Sequence, residues 1–333
     1  MTSRRTFTAA CVAGALLAPA LAWAQAGYPK GPVKMVVPYA AGGATDIIAR
    51  TLGDKLTAKW GQPVVIENKP GAGTTLAASQ LARMAADGQT LYMTTSAHTI
   101  AGSIYSKLDF DPVKDFSPIS LVAKVPLVLV VRPGLAAANL KEFIALAKKE
   151  QSALSFASPG NGTAQHLAGE MFNTAVQAKT THVPYRGDAP AITDLLGGSV
   201  DAMYATLTVV LPYIASGKLR AIALANDKRV QKVPNIPTFA EAGLDKFEAA
   251  TWFGVLAPAR IAAPLSERIS QDIKAIIAQP DMQAKLIDLG AEIVGNSPAE
   301  FRSFMDEEAQ KWKKIVATSG ATVNCRSWFW CSW

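Results

Sequence analysis

Five short loops contain the residues whose types and spacing could bind a small anion. They span Pro38–Asp46 (PYAAGGATD), Asn68–Thr75 (NKPGAGTT), Thr94–Thr99 (TTSAHT), Ala157–His166 (ASPGNGTAQH) and Pro184–Ala191 (PYRGDAPA). Each follows an apolar run and opens a helical pattern, where unpaired N–H groups and the positive end of the helix dipole favour a negative charge. Glycine in such a loop lets the backbone approach a ligand closely. The loops therefore predict an anion site made largely of backbone donors.

The composition of these loops indicates a carboxylate ligand rather than a phosphate. No loop has the G-x-x-x-x-G-K-[ST] pattern of a nucleoside triphosphate site. Gly71–Leu76 (GAGTTL) lacks the third glycine of a dinucleotide loop, and Asp87 follows it too early to bind a ribose. Lys69 and Arg186 are the only cations in the loops, too few for a polyphosphate. A few charge-assisted hydrogen bonds of about 1.5–3 kcal/mol each, with apolar burial, are enough for a micromolar carboxylate complex.

Several polar side chains in these loops have two possible roles. Asp46 either stabilises the N-terminus of its helix or faces the ligand. His166 lies with Thr163 in the first turn of a helix, and it either faces the cleft or pairs with Glu170 four residues later. Arg186 reaches a distal group of the ligand or extends into solvent. The residues alone leave each of these pairs of alternatives open.

Catalytic and metal-binding patterns are missing from the sequence. There is no G-x-S-x-G motif, and His98, His166 and His182 lack a metal-binding spacing such as H-E-x-x-H. Ser96 and His98 are so close along the chain that a nucleophile–base geometry is improbable. The sequence therefore favours a binding protein without metal or cofactor over an enzyme. A hydrolase or lyase on the same architecture is the alternative.

Short apolar, β-branched runs alternate with helical patterns, which predicts an α/β fold with a mostly parallel sheet covered by helices. The predicted strands are Val33–Pro38, Pro63–Glu67, Thr90–Thr94, Pro126–Val131, Leu154–Ala157, Thr181–Pro184, Val200–Ala205, Leu219–Leu224, Trp252–Ala257 and Glu292–Gly295. The last helix has a clear start, with Ser297 as N-cap, Pro298 as first residue and Glu300 completing a capping box. Gly320 is its predicted end.

This number of strands predicts two lobes rather than one small sheet. Val122–Pro126 and the proline-rich Val233–Gly243 are the predicted crossings between them. Lobe I then comprises residues 25–123 and 229–324, and lobe II comprises 124–228. Two crossings permit a hinge motion, and the cleft between the lobes is the predicted ligand site.

The N-terminus has the pattern of an export signal. Arg4 and Arg5 precede the uncharged stretch Cys11–Ala24, and small residues before Gln25 predict cleavage near Ala24. The stretch is too short to span a bilayer. Residues 1–24 are therefore predicted to be a signal peptide that directs the protein to the periplasm. The segment SRRTFT favours the twin-arginine route, with the general secretory route as the alternative.

The remaining composition excludes several classes. The formal net charge is +7, but the basic residues are scattered, which argues against nucleic acid and leaves either a mild attraction for anions or simple solubility. Cysteine is absent between Ala24 and Asn324, so the body has no disulfide, thiolate metal site or cysteine nucleophile. The tail 325–333, rich in tryptophan and cysteine, is unlike the rest and is typical of a frameshift.

Five segments, in order, carry a family resemblance. They are VPYAAGGATDIIAR, VIENKPGAGTTLAA, SPGNGTAQHLAGE, VPYRGDAPAITDLLGG and VDAMYATL. Between about Tyr28 and Gly320 the chain resembles the substrate-binding receptors of tripartite tricarboxylate transporters, called Bug receptors. The resemblance implies a monomeric periplasmic-binding-protein (type II, flytrap) architecture that closes on an organic acid for membrane permease subunits. A ligand sensor for a signalling partner is the alternative role.

The resemblance also implies a set of binding residues. Backbone groups and ordered water around Ala41, Gly42 and Gly43 would grip the first carboxylate. The facing lobe would contribute Ser158, Gly162, Thr163 and His166, while Tyr185, Arg186, Gly187 and Asp201 would shape the far end. Tyr39, Asp46 and Ser96 complete the candidates for ligand binding. Tyr39 and Tyr185 are interpreted as walls of the site, with core packing as the alternative.

Overall fold

The computed structural model describes residues 27–149 and 154–319. The predicted signal peptide, the end of the last helix at Gly320 and the atypical tail lie outside these residues. The strands are β1 Val33–Val37, β2 Val64–Asn68, β3 Thr90–Thr95, β4 Phe116–Val131, β5 Ser155–Ser158, β6 Thr181–Pro184, β7 Ala202–Thr206, β8 Arg220–Leu224, β9 Ala250–Pro258 and β10 Glu292–Ile293. The helices are α1 Ala44–Trp60, α2 Thr75–Ala82, α3 Ala97–Ile104, α4 Leu140–Ala147, α5 Ala164–Val176, α6 Asp188–Gly197, α7 Leu207–Ala215, α8 Ala263–Ile277, α9 Pro280–Asp288 and α10 Pro298–Ser319.

Each predicted strand overlaps a strand of the structure, but the first half of β4 was missed. The sequence predicts a strand only from Pro126, whereas β4 begins at Phe116 and runs unbroken to Val131. Its prolines suggested a break. Instead, Pro118 lies beside a register shift and Pro126 pairs with Ala250 of β9. A strand tolerates proline where a bulge or an unpaired N–H side removes the need for a donor.

The prediction of a mostly parallel sheet was wrong for the centre of the molecule. Strand order is β2-β1-β3-β9-β4-β7-β5-β6. β1 lies parallel to β2 and β3, and β5 lies parallel to β6 and β7. Between these groups, β4 and β9 run antiparallel because one carries the chain away from the first group and the other returns it. We call the group of β1–β3 the first lobe and the group of β5–β7 the second lobe.

The long strand β4 belongs to both lobes. Phe116 to Pro126 pair with β9, while Leu127 to Val131 pair with β7 on one side. Along the same stretch, β8 pairs with the other side of β4. The carboxyl ends of the parallel strands in both lobes lead into the loops that the sequence singled out. In such sheets, ligands bind beyond those ends.

Helix α10 packs as its sequence predicts. Ser297 Oγ accepts a hydrogen bond from Glu300 N at 3.3 Å, and Glu300 Oε2 accepts one from Ser297 N at 2.8 Å, which confirms the capping box. Phe301, Met305 and Trp312 are buried along one face. This face closes the side of the sheet that contains β4, and so it fixes the strand that the two lobes share.

Helix α5 packs so closely on β5 that it depends on a glycine. A Cβ on Gly169 would lie 2.1 Å from Phe156 Cε2. Phe156 has no room to move, since His182 stacks on it with ring centroids 5.0 Å apart and Tyr204 meets it edge-on at 5.8 Å. Gly197 in α6 has nothing within 4 Å of the equivalent position.

This difference predicts opposite effects of the same substitution. Gly169→Ala should lower the free energy of unfolding by about 1–3 kcal/mol through overpacking. Gly197→Ala, at the end of α6, should be neutral or add up to about 1 kcal/mol, because alanine is the better helix former. Urea denaturation of both variants measures this. Equal effects would contradict the packing described for α5.

Candidate functional site

A small cavity lies between the lobes at the carboxyl ends of the parallel strands. Its volume is about 10 Å³, room for roughly one water molecule, because the lobes are in contact around it. Residues from the loops after β1, β3, β5, β6 and β7, together with strand β9, line it: Tyr39, Ala44, Thr45, Thr95, Pro159, Gln165, Asp188, Thr206, Thr251 and Phe253. The lining is mostly neutral hydroxyl and apolar groups. A ligand larger than water therefore requires the lobes to move apart before it enters.

The N-terminus of α1 meets a carboxylate of the other lobe. Asp188 Oδ2 accepts a hydrogen bond from Ala44 N at 3.1 Å. Asp188 is the first residue of α6 and is buried, and its Oδ1 has no hydrogen-bond partner. Gly43, the N-cap of α1, has an extended backbone and supplies no side-chain cap. The positive end of the α1 dipole is thus open to an anion from outside its own helix.

Burial makes Asp188 easier to protonate. Removal from water raises the pKa of Asp188 from 3.8 to about 6, and the hydrogen bond from Ala44 N opposes this only in part. Among residues 27–149 and 154–319, no Lys or Arg contributes to this pKa, which depends on burial and on the hydrogen bond from Ala44 N. The carboxylate therefore lies in the cavity wall without a compensating cation.

Close backbone contacts join the lobes on either side of the cavity. Ala40 N donates to Arg186 O at 3.0 Å. Tyr105 Oη donates to Ala72 O at 3.1 Å and lies 3.4 Å from Asn161 O, so a single hydroxyl touches both lobes. These contacts are short because the loops carry little side-chain bulk where they meet.

Two glycines are required for this approach. A Cβ on Gly73 would lie 2.1 Å from Tyr105 Oη and 2.3 Å from Asn161 O. A Cβ on Gly43 would lie 3.0 Å from Asp188 Oδ2. Any larger residue at either position would hold the lobes apart.

The residues predicted around the start of α1 lie at the site, and the contacts of Asp46 indicate which of its two roles it has. Tyr39 lines the cavity and its hydroxyl is 2.8 Å from Thr95 Oγ1. Ala41 and Gly42 are exposed at the rim. Asp46 accepts hydrogen bonds from Gly42 N at 2.9 Å and from Arg50 Nε at 3.0 Å. Partial burial alone would raise the pKa of Asp46, but these bonds and one from Asn68 lower it. This fits the helix-stabilising interpretation rather than contact with a ligand.

The loop before α5 is organised mainly by its own hydrogen bonds. Thr163 caps the helix, with Oγ1 accepting from His166 N at 3.3 Å and donating to Gly160 O at 2.8 Å. Gly162 N donates to His166 Nδ1 at 3.2 Å, and His166 Nε2 lies 3.9 Å from Glu170 Oε1. Gln165, rather than His166, lines the cavity and donates to Thr206 Oγ1 at 2.9 Å.

Ser158 and His182 form a pair that the sequence did not suggest. Ser158 Oγ lies 2.6 Å from His182 Nε2, the distance of a nucleophile and its base. Ser158 is fully buried, and its Oγ donates to Gly160 O at 3.0 Å within its own turn. Neither residue lines the cavity. The pair stabilises the turn after β5, and it offers no exposed nucleophile to a substrate.

Four other predicted residues lie behind or beside the cavity rather than in its wall: Ser96, Tyr185, Arg186 and Asp201. Ser96 Oγ is buried, 3.2 Å from Thr251 Oγ1, which does line it. Tyr185 donates to Asp194 Oδ2 at 2.7 Å, and the exposed Arg186 contributes its carbonyl to Ala40.

Asp201 pairs with Arg132 at 2.9 Å and also accepts from Ser155 N at 2.9 Å. These contacts leave its carboxylate outside the cavity lining. Gly187, in contrast, faces Ala40, since a Cβ there would lie 3.1 Å from Ala40 N.

Sequence reasoning missed several residues of the cavity wall. Thr95 and Thr206 are the last residues of β3 and β7, positions that a rule about strand ends could have selected. Asp188 is the first residue of α6 and lies in the Pro184–Ala191 loop, but no motif marks it and the sequence analysis gave it no role. Thr251 and Phe253 lie within β9 and have no motif around them.

A larger depression, of about 830 Å³, borders only one residue of these loops, Thr99. It is formed by α3, the segment 105–115 and α10. Its carboxylates are used locally: Asp111 Oδ1 accepts from Val113 N at 2.9 Å, and Asp109 binds Ser79 and Arg83. We therefore assign the ligand site to the interlobe cavity, where strand ends and helix N-termini converge.

Comparison with known proteins agrees with this geometry. The sequence profile of the tripartite tricarboxylate transporter family receptor matches residues 48–321. The chain belongs to this receptor family. Its members are binding receptors, and the family is not an enzyme class.

Solved structures of similar proteins share the two-lobed fold. The periplasmic binding protein BugD is 36% identical with a TM-score of 0.85, covering 89% of this chain and 99% of BugD. A Rhodopseudomonas palustris protein solved with adipate is 32% identical, with a TM-score of 0.86 over 88% of this chain and 98% of that one. MatC from the same organism, with bound malate, is 32% identical, with a TM-score of 0.83 over 87% and 100%. The predicted flytrap architecture is thus confirmed.

Among residues 27–149 and 154–319, no helix combines the length and apolarity needed to cross a bilayer. Nor do His, Cys, Asp and Glu in that part cluster in a way that could hold a metal ion.

The buried histidines beside the site predict that the receptor loses stability in acid. Burial lowers the pKa of His98 and His166 to about 4, and burial with repulsion from His166 lowers that of His182 to about 3. The unfolded chain binds these protons near pH 6.5, so the stability that the three histidines contribute is complete above that pH and falls as the pH decreases. Each histidine should contribute a loss of roughly 1–2 kcal/mol at pH 5 relative to pH 7.

Denaturation curves at both pH values measure this loss. His182→Phe keeps an aromatic ring against Phe156 but cannot be protonated. The stability that this variant loses between pH 7 and pH 5 should therefore be smaller by the roughly 1–2 kcal/mol of one histidine. An equal pH dependence in the variant would show that His182 is not the proton acceptor described.

Proposed function

We propose that this protein is a periplasmic receptor that captures a small organic carboxylate between its lobes and delivers it to a tripartite tricarboxylate-type transporter. The observation that carries the proposal is the Asp188 carboxylate on the α1 N-terminus, with Oδ2 3.1 Å from Ala44 N. A carboxylate already binds at this point of the cleft, between the two lobes. A ligand carboxylate needs the same donor and the same dipole.

The chemistry of the cavity favours backbone recognition. No Lys or Arg lines it among the described residues, whereas Tyr39, Thr95, Thr206 and Thr251 supply hydroxyls. Backbone N–H groups and hydroxyls bind a carboxylate in fixed directions without a cationic fork. The relatives solved with adipate and with malate bind ligands of this class, which supports a small organic acid here.

We propose a binding set that revises the one expected from the sequence. The α1 start supplies Tyr39, Gly42, Gly43 and Ala44, and the second lobe supplies Gln165, Asp188 and Thr206. Of the other candidates, Gly162, Thr163 and Gly187 shape the loops, and Arg186 at the rim remains a candidate for a distal group of the ligand.

The hinge is proposed where β4 and β9 pass between the lobes. Support comes from the hydrogen bonds at this level, where Leu127 N donates to Ala249 O at 3.0 Å and Ala225 N donates to Leu127 O at 2.8 Å. The proposed boundaries of lobe II, 124 and 228, lie close to these residues. We also propose that the receptor is a monomer and that membrane permease subunits are its partners. Its signal peptide would be cleaved near Ala24 after export by the twin-arginine route. Sensing for a signalling partner is its functional alternative.

Gly43→Val should abolish or strongly weaken ligand binding. A Cβ there would lie 3.0 Å from Asp188 Oδ2, so valine obstructs closure, while the backbone at φ −82° and ψ 172° accepts it. A thermal-shift panel of succinate, malate, adipate, citrate and amino acids on residues 25–333 would identify a binder, which at one hundred times its Kd stabilises by about 2.7 kcal/mol. Calorimetry should then show at least a tenfold loss of affinity, about 1.4 kcal/mol.

Gly31→Val is the matched control, because Gly31 has nothing within 4 Å and no positive φ. It should bind as the wild type does. Normal affinity in Gly43→Val would contradict the site, and a panel without any binding acid would contradict the proposed function.

Binding should also make the protein more compact. The cavity of about 10 Å³ cannot admit an organic acid while the lobes touch, so the protein must open to load and close again around the ligand. Small-angle scattering with and without the binder should show a smaller radius of gyration in the complex. An unchanged radius would mean that the lobes do not move on binding.

A further inference from the structure

The interlobe cavity combines an anion-binding end with an unpaired carboxylate. Ala44 N, at the start of α1, holds Asp188 Oδ2 at 3.1 Å. Oδ1 of the same group is buried without a partner, and Asp188 is only 5% exposed. Buried carboxylate oxygens in folded proteins nearly always have a partner, so an unpaired one in a cavity wall points to a group that binds there.

We infer that the ligand carries a cationic nitrogen next to its carboxylate, as an α-amino acid does, and that Asp188 binds this nitrogen. The inference rests on the proposed function and narrows its ligand class. The ligand carboxylate would replace Asp188 Oδ2 on Ala44 N when the lobes open and close. Asp188 would then face that carboxylate across the cavity, and a cation between the two would bind both.

The charge of the cavity favours such a zwitterion over a simple acid. Among the described lining residues, Asp188 is the one that carries a formal charge, and the others are neutral. A carboxylate ligand without a cation would place a second negative charge beside a buried one, which is unfavourable where water is excluded. An ammonium group instead supplies the opposite charge that Asp188 lacks.

The state of Asp188 is compatible with this role. Burial raises the pKa of Asp188 to about 6, so at pH 7 the group is still mostly ionised. A neighbouring ammonium would stabilise the ionised form further. The nearby hydroxyls of Tyr39, Thr95 and Thr206 supply neutral acceptors and donors for the remaining hydrogen bonds.

Pairs of ligands that differ only in the nitrogen test the inference. Calorimetry at pH 7.5 on residues 25–333 would compare L-alanine with propanoate, L-leucine with 4-methylpentanoate, and L-aspartate with succinate. At least one amino acid should bind ten times more tightly than its partner. Asp188→Asn should lower the affinity for that amino acid at least tenfold and leave the nitrogen-free acid unchanged or tighter.

Asp54→Asn is the matched control, since Asp54 is exposed on α1 and its loss changes the net charge equally. It should bind as the wild type does, and circular dichroism would verify that both variants fold. If Asp188→Asn does not fold, the affinities of the wild type for each amino acid and its nitrogen-free partner still test the inference.

Three results would overturn the inference. Equal or tighter binding of the nitrogen-free acids to the wild type would refute the cation but leave the receptor function standing. Equal weakening by Asp54→Asn and Asp188→Asn would show that the charge acts only at long range. If no acid of either kind binds, the proposed function fails as well.

Discussion

The structure depends on the backbone N–H groups at the start of α1, which have no acceptor within their own helix. Every helix begins with such donors, and an end buried without partners is costly. Here the N-cap is Gly43, which has no side chain to satisfy them, and the acceptor comes from Asp188 of the other lobe. The hydrogen bond from Ala44 N to Asp188 also holds the two lobes together. Binding of a ligand anion to this donor and contact between the lobes therefore depend on the same group.

The close approach of the lobes follows from where the chain lacks side chains. Gly43 and Gly73 meet groups of the second lobe at distances that no Cβ would permit without displacement, and Gly187 meets Ala40 in the same way. Tyr105 adds a hydroxyl that touches Ala72 and Asn161 together. These contacts are small, whereas β4 and β9 pair over a long ladder from Phe116 to Pro126, with two register shifts. The proposed hinge motion would need this arrangement, in which paired strands join the lobes and the contacts at the rim are small.

The polar interior separates groups that serve the site from groups that serve the fold. Ser158 with His182, and Arg132 with Asp201, satisfy each other away from the cavity, and Asp46 binds the loop beside it. Asp188 differs because burial has removed its water and only one of its oxygens has a partner. An anion kept without a cation is unfavourable for folding alone, and this unpaired oxygen is the observation from which we infer a cationic group on the ligand.

The sequence by itself determined the place of every strand except the first half of β4, the start of α10, the two-lobed fold and the loops that form the candidate site. These features depend on local periodicity, on capping residues such as Ser297 and Glu300, and on motifs such as AAGGATD that can be read along the chain. Only the tertiary structure decided which side chains of those loops face the cavity. Ser158, His166 and Asp201 look polar and available in sequence. In the structure, Ser158 and Asp201 bond to residues distant along the chain, and His166 is buried against His182. Likewise, β4 continues through its prolines because β9 pairs beside them, and Asp188 becomes a candidate site residue only because α1 of the other lobe begins against it. Pairing and burial between distant segments set these outcomes, and a local pattern contains neither.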